Sequence, residues 1–133
     1  MIKKNKNRIY LVVVFLFLIL AVIFYPKNKP EIVNFKIENK TYKVLIADSK
    51  DEWSKGLMNV KELKEADGMM FIFPEKQFRV FWNKNTLLDL DVYWIADEKI
   101  ISKSYLPSIN QTAGIVRINS PVPVNKVVEI IRN

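Results

Sequence analysis

Asp67-Gly68-Met69-Met70-Phe71-Ile72-Phe73-Pro74 decides the fold class: a turn signal, five apolar residues and then a proline. Five residues are too few for a buried helix. Met69–Phe73 therefore reads as a buried strand, entered at Asp67-Gly68 and stopped by Pro74. Downstream, Phe78 to Trp82, Leu90 to Ala96, Lys99 to Tyr105, Gly114 to Asn119 and Val124 to Ile131 are rich in β-branched and aromatic residues, separated by Asn, Asp, Ser or Pro. Upstream, Ile32–Ile37 and Thr41–Ile46 alternate apolar and polar residues about Glu38-Asn39-Lys40, which predicts a hairpin. Between hairpin and run, Ser49-Lys50-Asp51-Glu52 has capping-box spacing. It predicts a short helix ending near Asn59, with Trp53, Leu57 and Met58 on its buried face. About eight closely spaced strands and one short helix predict a mainly β domain over residues 32–133, a β-sandwich, jelly-roll-like fold or distorted barrel.

The N-terminal quarter has a different composition. Ile9–Tyr25 is an unbroken run of 17 apolar or aromatic residues, about 26 Å long as a helix and so near the lower limit for crossing a bilayer core. No polar face interrupts it, which disfavours a soluble core helix. Its exit, Ala21-Val22-Ile23-Phe24-Tyr25-Pro26, is bulky where a signal peptidase needs small residues, so an uncleaved signal anchor is expected over 9–25. Lys3, Lys4, Lys6 and Arg8 precede the run, whereas only Lys27 and Lys29 closely follow it. This bias predicts a cytoplasmic segment at 1–8 and a single-pass cell-membrane protein with its domain outside. Tyr10 and Tyr25 stand at the two interfaces, and Pro26 to Glu31 is a proline-bracketed linker.

Charge and composition narrow the chemistry. The net charge of +7 shrinks once the four leading cations are set aside, because the rest has 17 basic against 14 acidic residues, or +3. Those cations are scattered singly among acids, which argues against a nucleic-acid partner. The chain has neither Cys nor His. Disulfides, thiol nucleophiles and Ser-His or Cys-His triads are thus excluded, and neither a metal nor a cofactor is expected.

Phe81-Trp82-Asn83-Lys84-Asn85-Thr86-Leu87-Leu88-Asp89-Leu90-Asp91 is the stretch richest in functional groups. Lys84 can hold an anion, Asn85 and Thr86 can orient a polar ligand, and the two aspartates can act as acid or base. The competing reading is turn chemistry, with Asn85 at an unusual backbone angle, Thr86 capping it, and Asp91 as a hydrogen-bond acceptor fixing the turn before Val92. Asp89 and Asp91 are two apart and would share one face of a strand. Trp82, like Trp53 and Trp94, can stack on a sugar or serve as aromatic core.

Gly56-Leu57-Met58, Asp67-Gly68-Met69-Met70-Phe71-Ile72-Phe73 and Phe81-Trp82-Asn83-Lys84-Asn85-Thr86 with Leu90-Asp91, in this order, resemble the domain-of-unknown-function 192 family, DUF192. The resemblance runs roughly from Lys43 to Glu129. It implies a small, mostly β domain, often exported or membrane-tethered in prokaryotes, and brings no established reaction. By position it maps a functional surface to Trp82, Lys84, Asn85, Thr86 and Asp91. Asn83 stands where the family has Met, implying a more polar rim, and Asp89 where it has Pro. The chain stops at Asn133 before the Gly-containing tail that commonly continues the family domain, which implies an incomplete last hairpin that weakens one sheet edge or leaves it for a partner strand.

The leading expectation is a membrane-anchored extracytoplasmic domain that binds a small polar ligand, a glycan or an envelope protein without catalysis. One alternative is an envelope hydrolase using Lys84 and Asp91. Another is a structural domain that pairs with a partner through a sheet edge.

Overall fold

Residues 2–24 and 29–133 are described by a computed structural model. Tyr25, Pro26, Lys27 and Asn28, and with them the first half of the expected linker, lie outside the described residues. Helix α1 (Ile2–Ile23) takes in the basic start as well as most of the apolar run. Its Lys6–Ile23 portion is long and apolar enough to cross a membrane, and none of it is buried.

The β domain begins with β1 (Ile32–Ile37) and β2 (Lys40–Ala47), an antiparallel hairpin whose turn places Glu38 at φ 53°. Ser49 then caps helix α2 (Lys50–Lys55). Its hydroxyl accepts from the Glu52 amide at 3.4 Å, and the Glu52 carboxylate accepts from the Ser49 amide at 3.0 Å. The Asp48 amide foremost, then the Ser49 hydroxyl and amide, donate to the Glu52 carboxyl and hold it below its usual range. The helix stops at Gly56 and not near Asn59, because Gly56 turns to φ 45°. A Cβ there would meet the Phe71 ring at 3.2 Å, so the sharp exit needs glycine on both counts.

Strand β3 (Gly68–Gln77) runs parallel to β2 and antiparallel to β8 (Val124–Ile131). The expected stop at Pro74 is corrected: the strand passes through the proline. Regular pairing lapses between Ile72 and Gln77, so no ladder bond is demanded of the residue that lacks an N–H. Strands β5 (Leu90–Ala96) and β6 (Lys99–Leu106) form the next hairpin. The sheet order is β1-β2-β3-β8-β5-β6, and β4 (Val80–Trp82) with β7 (Arg117–Asn119) makes a separate two-stranded ribbon. The mainly β reading with one short helix therefore stands, and no closed barrel forms among the described residues. The weakened edge implied for an incomplete last hairpin does not fall on the last strand. Strand β8 is paired on both sides, by β3 and β5, and the edges are β1 and β6.

Two apolar clusters occupy the two faces of the sheet. Leu90, Val92, Trp94, Phe71 and Val127 lie under α2 and the β4–β7 ribbon. Val44, Met70, Ile95 and Val128 belong to the other face. Phe81 fastens the ribbon to the first cluster, its ring edge-on to Phe71 at 5.0 Å and to Trp94 at 5.6 Å. Trp94 is fully buried and donates its indole N–H to Ser104 at 2.8 Å.

Backbones approach closely at Gly68, where a Cβ would lie 1.9 Å from the Glu129 carbonyl oxygen. Gly68→Ala is expected to push β3 from β8 and cost about 3 kcal/mol, read as a lower midpoint in chemical denaturation.

Candidate functional site

Between the C-terminal turn of α2 and strand β4 lies a cleft of about 80 Å³. One wall is the Trp53–Met58 segment, the other Val80, Phe81 and Trp82, and Thr86 closes one end. The walls meet where Met58 bridges Thr86 and the Asn59 amide donates to the Asn85 carbonyl at 2.8 Å. At the base stand Phe71 and the side chain of Glu129.

Glu129 arrives there by strand parity. On β8, Val127 and Ile131 belong to the α2-side cluster and Val128 and Ile130 to the other, so Glu129 faces α2 with Val127. It is buried, and desolvation raises its carboxyl to about 8. No salt bridge reaches it among the described residues. At neutral pH the group is an uncharged acid able to donate one hydrogen bond and accept another. Glu129 is absent from the residues that the sequence singles out, although a signal was present: a lone acid within Val127-Val128-Glu129-Ile130-Ile131.

The rim residues expected from the sequence divide between two places. Trp82, Lys84, Asn85 and Thr86 lie at the cleft or beside it. Trp82 is partly exposed, with Lys84 Nζ 5.2 Å and the Arg117 guanidinium 5.5 Å from its ring centre. Asn85 has φ 52°, and the Thr86 hydroxyl donates to the Lys84 carbonyl at 3.3 Å, so the turn reading of Lys-Asn-Thr is realised. Asn83 is no rim residue, contrary to expectation. It is fully buried; its amide nitrogen donates to the Pro107 carbonyl and the Thr112 hydroxyl, each at 3.0 Å, and its oxygen accepts from the Val116 amide at 2.8 Å. A side chain bonded three ways ties the end of β4 to the 107–116 loop.

Asp91 lies elsewhere. It shares a sheet face with Tyr93, away from Leu90, Val92 and Trp94, and pairs with Lys103 and Arg132, each at 3.5 Å. Lys84 and Asp91 therefore line no common cleft, and the hydrolase built on that pair loses its geometry. The acceptor that fixes the turn is Asp89, not Asp91. One Asp89 oxygen accepts from the Ser108 amide and the Tyr105 hydroxyl, each at 2.9 Å, and the other from Gln111 at 2.6 Å. Those bonds, the Ser108 amide foremost, hold the Asp89 carboxyl below its usual range.

The domain-of-unknown-function family DUF192, described as an uncharacterized ACR, matches residues 32–133. The chain belongs to that family. No curated protein matches it. Two crystal structures resemble this DUF192 domain. One, from Sinorhizobium meliloti 1021 and provisionally described as a transcription regulator, is 24% identical with a TM-score of 0.62, over 80% of this chain and 84% of that one. The other, a protein of unknown function from Novosphingobium aromaticivorans DSM 12444, is 22% identical with a TM-score of 0.64, over 80% and 77%. At these identities the likeness is one of fold.

Glu129 makes stability depend on pH with a definite sign. Below about pH 4.5 its carboxyl is neutral in native and unfolded chains alike; from there to about pH 8 only the unfolded chain ionises, so the native state loses ground as pH rises. Glu129→Gln is expected to remove that loss, about 1.4 kcal/mol per pH unit across the window. Urea denaturation of both proteins at pH 4 and pH 9 checks this: Glu129→Gln should be the more stable at pH 9 only.

Proposed function

We propose that this DUF192 protein is a single-pass membrane protein whose β domain faces outward. In this reading the domain receives an uncharged polar group in the cleft between α2 and β4, without catalysis. The observation that carries the binding reading is Glu129, a buried carboxyl with no salt-bridge partner among the described residues, at the base of an open cleft. Such a group costs stability that an apolar residue would not, and a ligand amide, carbonyl or hydroxyl would satisfy it. Trp82 and Thr86 contribute an aromatic edge and an end wall, and Lys84 a cation 5.2 Å from the Trp82 ring centre.

Size selects among the ligands considered. About 80 Å³ is well below the roughly 300–1,000 Å³ of sites that enclose drug-sized molecules. The cleft suits a side-chain-sized group, from a small polar ligand or displayed by an envelope protein, better than a glycan ring. The direct test uses N-methylacetamide as probe, with the full chain in detergent micelles. Saturable changes in the amide resonances of Leu57, Met58 and Glu129 are expected in the wild type and absent in Glu129→Leu; no change in the wild type would end this reading.

Anchoring is supported by the apolar Lys6–Ile23 helix, and orientation by Lys3, Lys4, Lys6 and Arg8 before it. Alkaline phosphatase fused after Asn133 should be active in a bacterial host. Replacing the four cations with Asn should lower that activity by allowing the inverted insertion.

A further inference from the structure

The ribbon strand β4 has one edge paired with β7 and one free. The Asn83 amide donates to the Val116 carbonyl at 3.1 Å, and the Ser120 amide donates to the Arg79 carbonyl at 2.9 Å. With Phe81 opposite Ile118, these bonds show that residues 79, 81 and 83 turn their backbone groups toward β7. Val80 and Trp82 therefore direct their N–H and C=O groups the other way. Among the described residues no strand pairs with them there, since β7 is the sole partner of β4.

That free edge borders a groove. The Glu129 cleft continues along α2 into a second depression of about 520 Å³, and the two share Trp53, Ser54, Phe71, Val80 and Phe81. Phe73 lies along its floor, and Phe78 and Val80 stand exposed on its rim. The groove is also cationic. Lys50, Lys55 and Arg79 line it, and the uncharged Glu129 is the only acid among the lining residues. Within the Arg79 side chain, Nε is buried with no hydrogen-bond partner. Its guanidinium stacks 3.8 Å from the Phe73 ring centre.

We propose that the groove binds an extended, acidic segment of another polypeptide, added as a strand to the free edge of β4. This rests on the cleft being a binding site and names its ligand class. The three features that strand addition needs are present: unpaired backbone donors and acceptors in register, room beside them, and a cavity for one side chain. Parity sets the specificity. Two ligand residues bond the backbones of Val80 and Trp82 and lay their side chains outward, beside Val80 and beside Trp82 with its flanking Lys84 and Arg117. The ligand residue opposite Phe81 points inward, into the 80 Å³ cleft, where an amide or hydroxyl meets Glu129.

The test pans random displayed peptides against the full chain in nanodiscs of zwitterionic lipid, then measures the synthesised winners on the same preparation. Enrichment in Asp and Glu is expected, together with slowed hydrogen exchange at the Val80 and Trp82 amides. Backbone N-methylation of the winners, one residue at a time, leaves the protein untouched. It should weaken binding about tenfold at alternate positions and little between them, as loss of one strand bond does. Val80→Pro, which removes an N–H that β7 does not use, should lower affinity similarly. Winners with no acidic bias, no alternation or no protection of those amides would overturn the inference, as would self-association of the chain through this edge. If N-methylacetamide still shifts Leu57, Met58 and Glu129 in that case, the cleft reading survives without the peptide. If it does not, both fall.

Discussion

Strand β3 lies so close to β8 at Gly68 that nothing larger than hydrogen fits against the Glu129 carbonyl. From that contact the rest of the domain is organised. It joins the β1–β2 hairpin to the β5–β6 hairpin through a central strand bonded on both edges. It also sets the facing of β8, so that Val127 and Glu129 turn toward α2 while Val128 and Ile130 fill the opposite cluster. A central strand buried on both faces has no solvent side on which to place an acid. Glu129 is consequently desolvated, and its proton is retained well above the usual carboxylate range.

The layer above that face is thin. One short helix and a two-stranded ribbon cover the Trp94 cluster, and the segments that follow them meet where Met58 bridges Thr86 and the Asn59 amide bonds the Asn85 carbonyl. The Gly56 turn stops α2 before it can close over β4, and the opening it leaves is the cleft. The same economy leaves β4 with a free edge. Burying Phe81 against Phe71 and Trp94 secures the ribbon from within, while Asn83 secures it at one end through three hydrogen bonds. A rigid strand with an unsatisfied side is a geometry that recognition by strand addition exploits.

Much of this was legible in residue order. Alternation in Ile32–Ile37 and the capping box at Ser49 act through local physics, and both appear where the pattern places them. Pro74 misled because a proline ends a strand only where its missing N–H is needed, and the irregular β3–β8 pairing removes that need. Asn83 misled because an amide among lysine and asparagine reads as surface, whereas its partners, Pro107, Thr112 and Val116, are more than twenty residues away. Of the rim residues, Trp82 through Thr86 stayed together as a contiguous turn. Asp91 separated from them because a strand sends alternate residues to opposite faces, and its partners there are Lys103 and Arg132.

Sequence alone determined the apolar N-terminal helix, the mainly β character, the capped helix and the exclusion of His and Cys chemistry. Each follows from composition or from interactions among residues close in the chain. Tertiary structure decided the order of strands, the central place of β8, the cleft and the state of Glu129. Those depend on which distant segments exclude water from one another, and on that point the identity of a single acid in a strand is silent.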